Sequence, residues 1–447
     1  MSSMSSVEPQ NLHVIFFPMI GHGHMIPMLD IAKLFSSHQV KTTIVTTPSN
    51  APTFTKPLES YRNVGPKIDI EIIPFPSKET TCLPEGVENF EHATSPELVA
   101  KLWKATLLLQ KPLRVVLEKY KPNCLIADKL FAFATEVAAE FNIPRLVFHG
   151  TGFFLLCALD AITKFEPHKS VLFDEEEFVI PHLPHEIKLT RLKLPQHIRE
   201  NDNNNELVEF LKSAVESEER SYGVIVNSFY ELEQDYADHY RKVMGRRAWH
   251  IGPVSLCNKE NEAKFYRGKG SSIDEHECLR WLDSKRESSV VYVCFGTLSM
   301  FSTSQLREIA MGLEASGQEF IWVVKGSKDN EKEDEWLPKK GLIIRGWAPQ
   351  VLILDHKSIG GFVTHCGWNS ILEGVSCGIP MVTWPIFSEQ FYNEKLVTEI
   401  LRIGVGVGAK EWSRTVDDAN VKSEEINEAI TRVMVGDEAL EMRSKAK

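Results

Sequence analysis

The sequence predicts an α/β protein with two doubly wound parallel sheets, each covered by helices on both faces. Three observations support this prediction. The chain has 447 residues, which is more than one ordinary domain needs. Short apolar runs rich in Val, Ile and Phe alternate with amphipathic helical patterns, and this alternation restarts after a polar stretch near the middle of the chain. Strands that alternate with helices favour a parallel sheet buried on both sides.

The first half repeats a unit of strand, loop and helix. Residues 13–17 form an apolar run that Pro18 ends, and a helix follows whose apolar residues recur at i, i+3, i+4 and i+7 from Met25. Further strands are predicted at residues 41–47, 124–127, 145–148 and 222–227, with a helix at 132–141.

A polar segment divides the chain. We predict an N-terminal domain at 1–254, a flexible linker at 255–277 and a C-terminal domain at 278–447. Strands of the second half are predicted at 289–294, 319–324, 341–345, 361–364, 379–383 and 404–407. Ligands of such sheets bind at the carboxyl ends of the strands, so two halves that face each other would form a binding cleft.

Composition excludes several classes of protein. The formal charge is −11, from 50 Lys and Arg against 61 Asp and Glu, which argues against nucleic-acid binding. The first eleven residues lack the basic start of a signal peptide, and the apolar run at 14–20 is too short for a membrane span. The eight cysteines form no CxxC pair, and we interpret them as buried thiols in a reducing compartment. We therefore expect a cytoplasmic protein without a membrane span.

Missing motifs narrow the chemistry further. The sequence contains no DxD, which weakens a metal-dependent sugar-nucleotide site. It also lacks the GxGxxG fingerprint, which disfavours a nicotinamide oxidoreductase, and the P-loop.

The segment after strand 361–364 predicts an anion site. Residues 365–367 form a tight turn, and a helix then begins whose first backbone N–H groups have no intrahelical partner. A diphosphate fits there without a metal. Asn369, Ser370 and Glu373 share one helix face, where the carboxylate would accept hydrogen bonds from a ribose diol. On spacing alone, a capped helix with a solvated Glu373 is an equal alternative.

Two other loops at strand ends carry candidate ligand contacts. Pro385 stops a strand, so Glu389 and Gln390 lie in the following loop, where their side chains suit sugar hydroxyls; a hydrated loop is the alternative. Trp347 also follows a strand and could stack on a base, although a core position is commoner for tryptophan.

The first half holds a candidate general base. His24 lies at a helix start, where the dipole disfavours imidazolium and leaves a neutral ring that accepts a proton. Asp128 follows strand 124–127, and a His with an orienting Asp is the minimum needed to activate a hydroxyl. A satisfied loop histidine and a capping aspartate are the structural alternative. His22 and His24 lack an evident third ligand for a metal, so no metal site is predicted.

Residues 347–390 read WAPQVLILDHKSIGGFVTHCGWNSILEGVSCGIPMVTWPIFSEQ, which closely resembles the C-terminal signature box of plant family 1 UDP-dependent glycosyltransferases. The segments FFPMIGHGHMIPMLDIAKLF, ADKLFAFA, IPRLVFHGTGFF and VVYVCFGT extend the resemblance over nearly the whole chain. The chain is most similar to the branch that glucosylates flavonoids, coumarins and triterpenoids. The resemblance implies a GT-B fold of two Rossmann-like domains facing across a cleft, with UDP-glucose as co-substrate and no further cofactor.

The resemblance also implies the roles of the donor-site residues. The uracil contacts are Trp347, by stacking, Ala348 and Gln350. The diphosphate contacts lie in the CFGT turn and at the helix start: Thr297, His365, Gly367, Asn369 and Ser370. The ribose contact is Glu373, and the sugar contacts are Trp368, Glu389 and Gln390.

The implied reaction is a direct displacement with inversion at the anomeric carbon. His24 occupies the histidine position of the family's GHxxP pattern and is the implied base, and Asp128 is the implied carboxylate that orients it. His365 and the helix dipole would stabilise the departing diphosphate in place of a metal. Gln390 resembles glucose users. Thr297 stands where serine is common and keeps the hydroxyl.

The resemblance leaves three points open. The sequence ends within a helical pattern, whereas family members continue with a helix that returns to the first domain, so we expect that helix to be truncated. The acceptor is not readable, although an apolar pocket fits a small hydrophobic aglycone. A non-catalytic UDP-sugar-binding protein and a nucleotide-sugar epimerase of the same fold are the alternatives, and we expect a monomer. The candidate acceptor contacts, each of which can instead be core, are Met25, Phe131, Thr151, Phe153 and Phe387.

Overall fold

The computed structural model describes residues 12–62, 65–199, 206–324, 337–338, 340–413, 415–416 and 420–447. The strands of this part of the chain are β1 His13–Phe17, β2 Lys41–Thr46, β3 Ile68–Ile72, β4 Cys124–Asp128, β5 Arg145–His149, β6 Glu177–Ile180, β7 Ile187–Thr190, β8 Gly223–Val226, β9 Ala248–His250, β10 Val290–Cys294, β11 Met300–Phe301, β12 Glu319–Val324, β13 Leu342–Arg345, β14 Ile359–Thr364, β15 Met381–Thr383, β16 Gly404–Gly406 and β17 Thr415–Val416.

The α-helices of the same residues are α1 His22–Ser37, α2 Pro52–Tyr61, α3 Lys78–Thr81, α4 Pro96–Leu107, α5 Gln110–Tyr120, α6 Phe133–Glu140, α7 Phe153–Phe165, α8 Gln196–Arg199, α9 Glu206–Glu219, α10 Gln234–Asp238, α11 Asn261–Phe265, α12 Glu275–Asp283, α13 Thr303–Ala315, α14 Gln350–Leu354, α15 Trp368–Ser376, α16 Gln390–Lys395, α17 Ser423–Met434 and α18 Gly436–Ala446. Short 3₁₀ or π turns lie at Phe90–His92, Pro167–Lys169, Arg191–Lys193, Tyr230–Leu232, His239–Val243, Val254–Cys257 and Leu396–Ile400.

Every strand predicted from the sequence is present, with ends that differ by two residues or fewer. The sequence analysis missed β3, β9, the antiparallel pair β6 and β7, and the two-residue strands β11 and β17. These strands are short, and β3 reads IDIEI, whose charged positions hide the apolar run that marks a buried parallel strand.

The first parallel sheet has the strand order β3-β2-β1-β4-β5-β8-β9. Ile15 and Phe17 of β1 pack into a core with α5 and α6, whereas Val14 and Phe16 pack into a second core with α1. Successive side chains of a strand point to opposite faces, so the continuous apolar run of β1 places one core on each side of the sheet.

The second parallel sheet has the order β13-β12-β10-β14-β15-β16, and α13 and α17 cover one face of it. In the first sheet the strand order reverses direction between β1 and β4, and in the second between β10 and β14. Such switch points open a crevice at the carboxyl ends of the strands. The loops that follow these four strands are therefore the places where ligand contacts are expected.

The described chain forms two compact units. Unit 1 comprises Met1–Gly150, Asn203–Phe229 and Arg241–Gly268, and unit 2 comprises Thr151–Asp202, Tyr230–Tyr240 and Lys269–Lys447. The segments 151–202 and 230–240 thus belong with the C-terminal sheet, although the sequence-based boundary at 254 assigns them to the N-terminal domain.

The start of the predicted linker is not a flexible segment but an ordered part of unit 1. Asn258 is buried, its Oδ1 accepts a 2.8 Å hydrogen bond from Lys33 Nζ, and its Nδ2 donates to Asp30 Oδ1 at 2.9 Å. Arg267 Nε donates to the other oxygen of Asp30 at 2.7 Å. The segment looks mobile in sequence because it is polar, but its polar groups find buried partners on α1 that local sequence does not reveal.

The eight cysteines are free thiols. Cys157, Cys278 and Cys366 are buried as expected, but Cys82 is exposed, because it lies in a surface turn outside any apolar run. Within the described ranges, the helices are all too short or too polar to span a bilayer.

Candidate active site

His24 and Asp128 form a hydrogen-bonded pair at the switch point of the first sheet. Asp128 ends β4, and His24 lies in the first turn of α1, which follows the neighbouring strand β1. His24 Nδ1 lies 2.7 Å from Asp128 Oδ2. The carboxylate side chain is 2% exposed and the imidazole 36%, so the pair has a buried end and an open end. With Nδ1–H donated to the carboxylate, Nε2 is the nitrogen that can accept a proton.

Asp128 is held in its ionised form. Burial raises the pKa of this carboxyl, but the charge and hydrogen bond of His24 and a 3.0 Å hydrogen bond from the Leu130 N–H outweigh that effect. The pKa of Asp128 therefore lies below its usual value. An ionised carboxylate fixes the tautomer of His24 and stabilises the imidazolium that forms when the ring accepts a proton.

His22 and His24 have different surroundings. His22 is buried, and its Nδ1 lies 3.1 Å from Glu91 Oε2, so its ring points to the 3₁₀ turn Phe90–His92. A Cβ added to Gly21 would lie 3.8 Å from the His24 ring and 3.9 Å from the Phe90 ring. Phe90 and His24 thus both lie beside the position that a Gly21 side chain would occupy.

Two glycines hold His365 at the switch point of the second sheet. His365 follows β14, and a Cβ at Gly296 would lie 2.7 Å from its Nε2, while one at Gly367 would lie 2.5 Å from the same atom. Gly296 has φ +71°, which disfavours other residues. The imidazole therefore packs against bare backbone on both sides. Thr297, which follows Gly296, is half-buried in the same turn.

Asn393, which the sequence analysis missed, stabilises the turn that precedes α15. Cys366 has φ +66°, and Asn393 Nδ2 donates a 2.8 Å hydrogen bond to its carbonyl oxygen. Asn393 is buried on α16 beside two other buried polar residues, Gln390 and Glu394, so no local signal in the sequence singles it out. Gly367 begins α15 without a side-chain cap, and Asn369 is half-buried in the first turn.

Gln350, Ser370 and Glu373 form one polar cluster. Gln350 Nε2 donates to Glu373 Oε2 at 2.7 Å and to Ser370 Oγ at 3.1 Å. Tyr292 Oη lies 3.5 Å from Gln350 Oε1. The structure thus brings together residues of α14 and α15 that the resemblance assigns to the base, the diphosphate and the ribose.

Trp347 is fixed through its backbone by Ser272. Its N–H donates to Ser272 Oγ at 2.9 Å, and its carbonyl accepts from the Ser272 N–H at 2.8 Å. The side chain of Trp347 is partly exposed, whereas Ala348 is buried. Any contact of Ala348 with a base would therefore be a backbone contact.

Gln390 serves the loop in which it lies. Its Oε1 accepts hydrogen bonds from the N–H groups of Ile386, at 2.8 Å, and Phe387, at 3.0 Å. Only its amide NH₂ group remains to contact a ligand. Glu389 is half-buried and accepts a hydrogen bond from Ser388 Oγ.

Trp368 does not present its side chain to a ligand. It is buried, and a Cβ at Gly152 would lie 2.5 Å from its Cη2. The indole packs beneath the start of α7, so any sugar contact of this residue would involve its backbone.

Most of the predicted acceptor contacts are core residues. Met25 packs in the core under α1, Phe131 stacks on Phe17 with ring centroids 4.2 Å apart, and Phe153 packs edge-on to Tyr240. The three side chains are fully buried, so we interpret them as core residues, and their role as acceptor contacts stays a prediction. Thr151 and Phe387 are half-buried.

Comparisons with known proteins show the family of the chain and its fold. The family model for UDP-glucoronosyl and UDP-glucosyl transferase matches residues 246–438. The chain belongs to this family, it is a glycosyltransferase, and its two parallel sheets are those of the GT-B fold.

The relatives include plant enzymes that align over almost the full chain. UDP-glucose flavonoid 3-O-glucosyltransferase 7 of Fragaria ananassa is 55% identical, with 100% of this chain and 92% of the relative covered. Scopoletin glucosyltransferase of Nicotiana tabacum is also 55% identical, with 98% and 92% covered. The crystal structure of Glycyrrhiza uralensis UGT73P12, complexed with glycyrrhetinic acid 3-O-monoglucuronide, is 41% identical with a TM-score of 0.88 and covers 98% of this chain and 90% of that one.

Replacement of Phe131 tests its reassignment from acceptor contact to core. Phe131→Ala removes a fully buried ring, and we expect the free energy of unfolding to fall by about 3–5 kcal/mol in urea titrations. The control Phe173→Ala changes a side chain that is 70% exposed and should stay within about 0.5 kcal/mol of wild type. A Phe131→Ala protein with wild-type stability and weaker acceptor binding would instead support a role of Phe131 in the acceptor pocket.

Proposed function

We propose that the protein transfers glucose from UDP-glucose to a hydroxyl of a small hydrophobic aglycone, with inversion at the anomeric carbon. The observation that carries the proposal is the His24–Asp128 pair, in which an ionised, buried carboxylate lies 2.7 Å from a partly exposed imidazole. His24 acts as the general base that removes the acceptor proton as the oxygen attacks. Asp128 keeps Nδ1 protonated and offsets the charge that develops on the ring.

The donor is held by the second unit. The start of α15 binds the diphosphate through backbone N–H groups, with His365, Thr297, Asn369 and Ser370 as further donors. Glu373 binds the ribose, and Trp347 stacks on the uracil with Ala348 and Gln350 at its edge. Trp368, Glu389 and Gln390 bind the sugar. These groups neutralise the leaving group without a metal ion, and the region 278–447 supplies all of them.

The acceptor class is supported by an aromatic cluster beside His24. Phe90 packs on Trp103 with ring centroids 4.6 Å apart, and Trp103 packs on Phe210 at 5.1 Å. All three rings are half-buried and thus leave apolar surface exposed, and Phe90 lies with His24 beside Gly21. Aromatic surface of this kind suits a flat or polycyclic aglycone. The named substrates of the relatives, a flavonoid and scopoletin, are of this kind.

Two further properties are proposed. The eight free thiols suit the reducing environment of the cytoplasm, where we place the protein. We also propose that the protein acts as a monomer.

The central test is turnover with and without the base. Wild-type protein, UDP-glucose and a panel of flavonoids, coumarins and triterpenoids should give products heavier by one hexose, with chelator present. His24→Ala should lower kcat by about 10²–10⁴-fold because general-base assistance is lost. His38→Ala, an exposed histidine beyond the end of α1, is the control.

Other results would redirect the proposal. Equal or faster turnover with UDP-glucuronate would change the donor. Epimerised sugar released without acceptor would support an epimerase, and UDP-glucose binding without any product would support a sugar-binding protein. Retention of more than a tenth of the rate by His24→Ala would remove the base role.

The glycine cradle of His365 offers a steric test of the diphosphate site. Gly296→Ala places a methyl group 2.7 Å from the imidazole and should weaken UDP binding by at least about tenfold in calorimetry. Gly317→Ala is the matched control, because Gly317 has a similar φ of +65° but no neighbour within 4 Å of its added Cβ. Equal affinities for the two variants would contradict the role of His365.

The aromatic cluster predicts a selective effect on the acceptor. Trp103→Ala should raise the acceptor KM by about tenfold or more, since a stacked ring contributes roughly 1–3 kcal/mol of apolar contact, while the KM for UDP-glucose stays unchanged. Trp249→Ala, which removes a 41% exposed indole on the edge strand β9, is the control. A parallel rise in both KM values would argue against a pocket wall.

A further inference from the structure

A buried group of charges lies directly behind the His24–Asp128 pair. Arg145, the first residue of β5, is 2% exposed, and its Nη2 donates a 2.8 Å hydrogen bond to the backbone carbonyl of Asp128. Its Nη1 donates to Thr135 Oγ1 and Ser217 Oγ, both at 2.7 Å. One guanidinium therefore ties the end of β4 to α6 and α9.

A buried pair of a histidine and a carboxylate lies at the other end of β5. His149 Nε2 and Glu218 Oε2 are 2.6 Å apart, with side chains 2% and 4% exposed. Glu218 also accepts from Arg246 Nη1 at 3.3 Å. Burial lowers the pKa of His149 more than Glu218 raises it, so the imidazole stays neutral and donates an N–H hydrogen bond to the carboxylate.

Arg145 keeps its charge in this setting. Burial lowers its pKa to about 10, against the opposing effects of Asp128, Glu218 and Glu136, which still leaves it protonated at neutral pH. A fixed positive charge beside Asp128 opposes protonation of both members of the pair, whereas the negative charge of Glu218 favours it. The other charged or titratable groups near the pair are His22, Glu91, Lys129, Glu136 and Arg246.

We propose that Arg145 and the His149–Glu218 pair are positioning residues that hold the Asp128 end of β4 and set how readily His24 takes up a proton. This inference rests on the proposed role of His24 as the base. The guanidinium acts twice: its hydrogen bond fixes the backbone from which the Asp128 carboxylate projects, and its charge opposes protonation of His24. A purely structural arginine would affect folding and overall rate but would not move the titration of His24 in a direction set by charge.

The test compares variants that remove charges of opposite sign near the His24–Asp128 pair. The pKa of His24 is measured twice in each full-length protein, from the acid limb of kcat/KM against pH and from the imidazole signal in ¹³C-histidine NMR, assigned by its loss in His24→Gln. Arg145→Met should raise this pKa by about half to one unit, and Glu218→Gln should lower it, because charges within about 10 Å shift titrations by such amounts. Arg145→Lys, which keeps the charge, should stay close to wild type. Arg114→Met, which breaks an exposed 2.6 Å ion pair with Glu140 on α6, is the matched control.

Each outcome either supports or overturns the inference. Opposite shifts for Arg145→Met and Glu218→Gln support the inference, and an unmoved His24 or shifts of the same sign overturn it. If Arg145→Met does not fold, Arg246→Met takes its place. This partly exposed arginine is also positively charged, and it contacts Glu218 of the His149–Glu218 pair. An NMR titration that shifts as expected, while kcat/KM lacks an acid limb, supports the inference and removes the base role instead.

Discussion

The hydrogen bond between His24 and Asp128 exists because two neighbouring parallel strands end at the same sheet edge. β1 and β4 pair in register, so the loop that leaves β1 and the last residue of β4 meet where the strand order reverses. Neither residue could reach the other from a strand interior, since side chains there point into the two cores. The chemistry of the first unit therefore depends on this one topological feature.

The second unit uses the same feature for a different purpose. β10 and β14 also flank a reversal of strand order, and their loops bring Gly296 and His365 into contact. The resemblance assigns the diphosphate to an imidazole, hydroxyls, an amide and backbone N–H groups here. Such groups are fixed before the reaction and can stabilise charge as it develops on the leaving oxygen. The close approach of the imidazole to the backbone explains why glycine stands on both sides of it.

How much the sequence predicts depends on whether the signal is local. The central strands, the helix starts and the strand-end positions of His24, Asp128 and His365 follow from periodicity and turn residues, and the signature box supplied the family. Burial across elements is not local: Trp368, Met25 and Phe131 have side chains suited to ligands, and only their neighbours make them core. Asn258 and Asn393 are the converse, polar residues of ordinary appearance whose role depends on distant partners, the side chains of Asp30 and Lys33 for one and the Cys366 carbonyl for the other.

The same reasoning explains why a boundary drawn from composition differs from the compact units. Glu233 is buried, and its carboxylate accepts hydrogen bonds from the N–H groups of Phe153, at 3.0 Å, and Phe154, at 2.8 Å, which caps the positive end of α7. Its oxygens and the indole of Trp368 both lie against Gly152, where any side chain would collide with them. The buried carboxylate of Glu233 and the first residue of α15 thus hold the start of α7 in unit 2. Because Glu233 and Gly152 precede the sequence-based boundary at 254, the predicted N-terminal domain supplies part of the framework of unit 2.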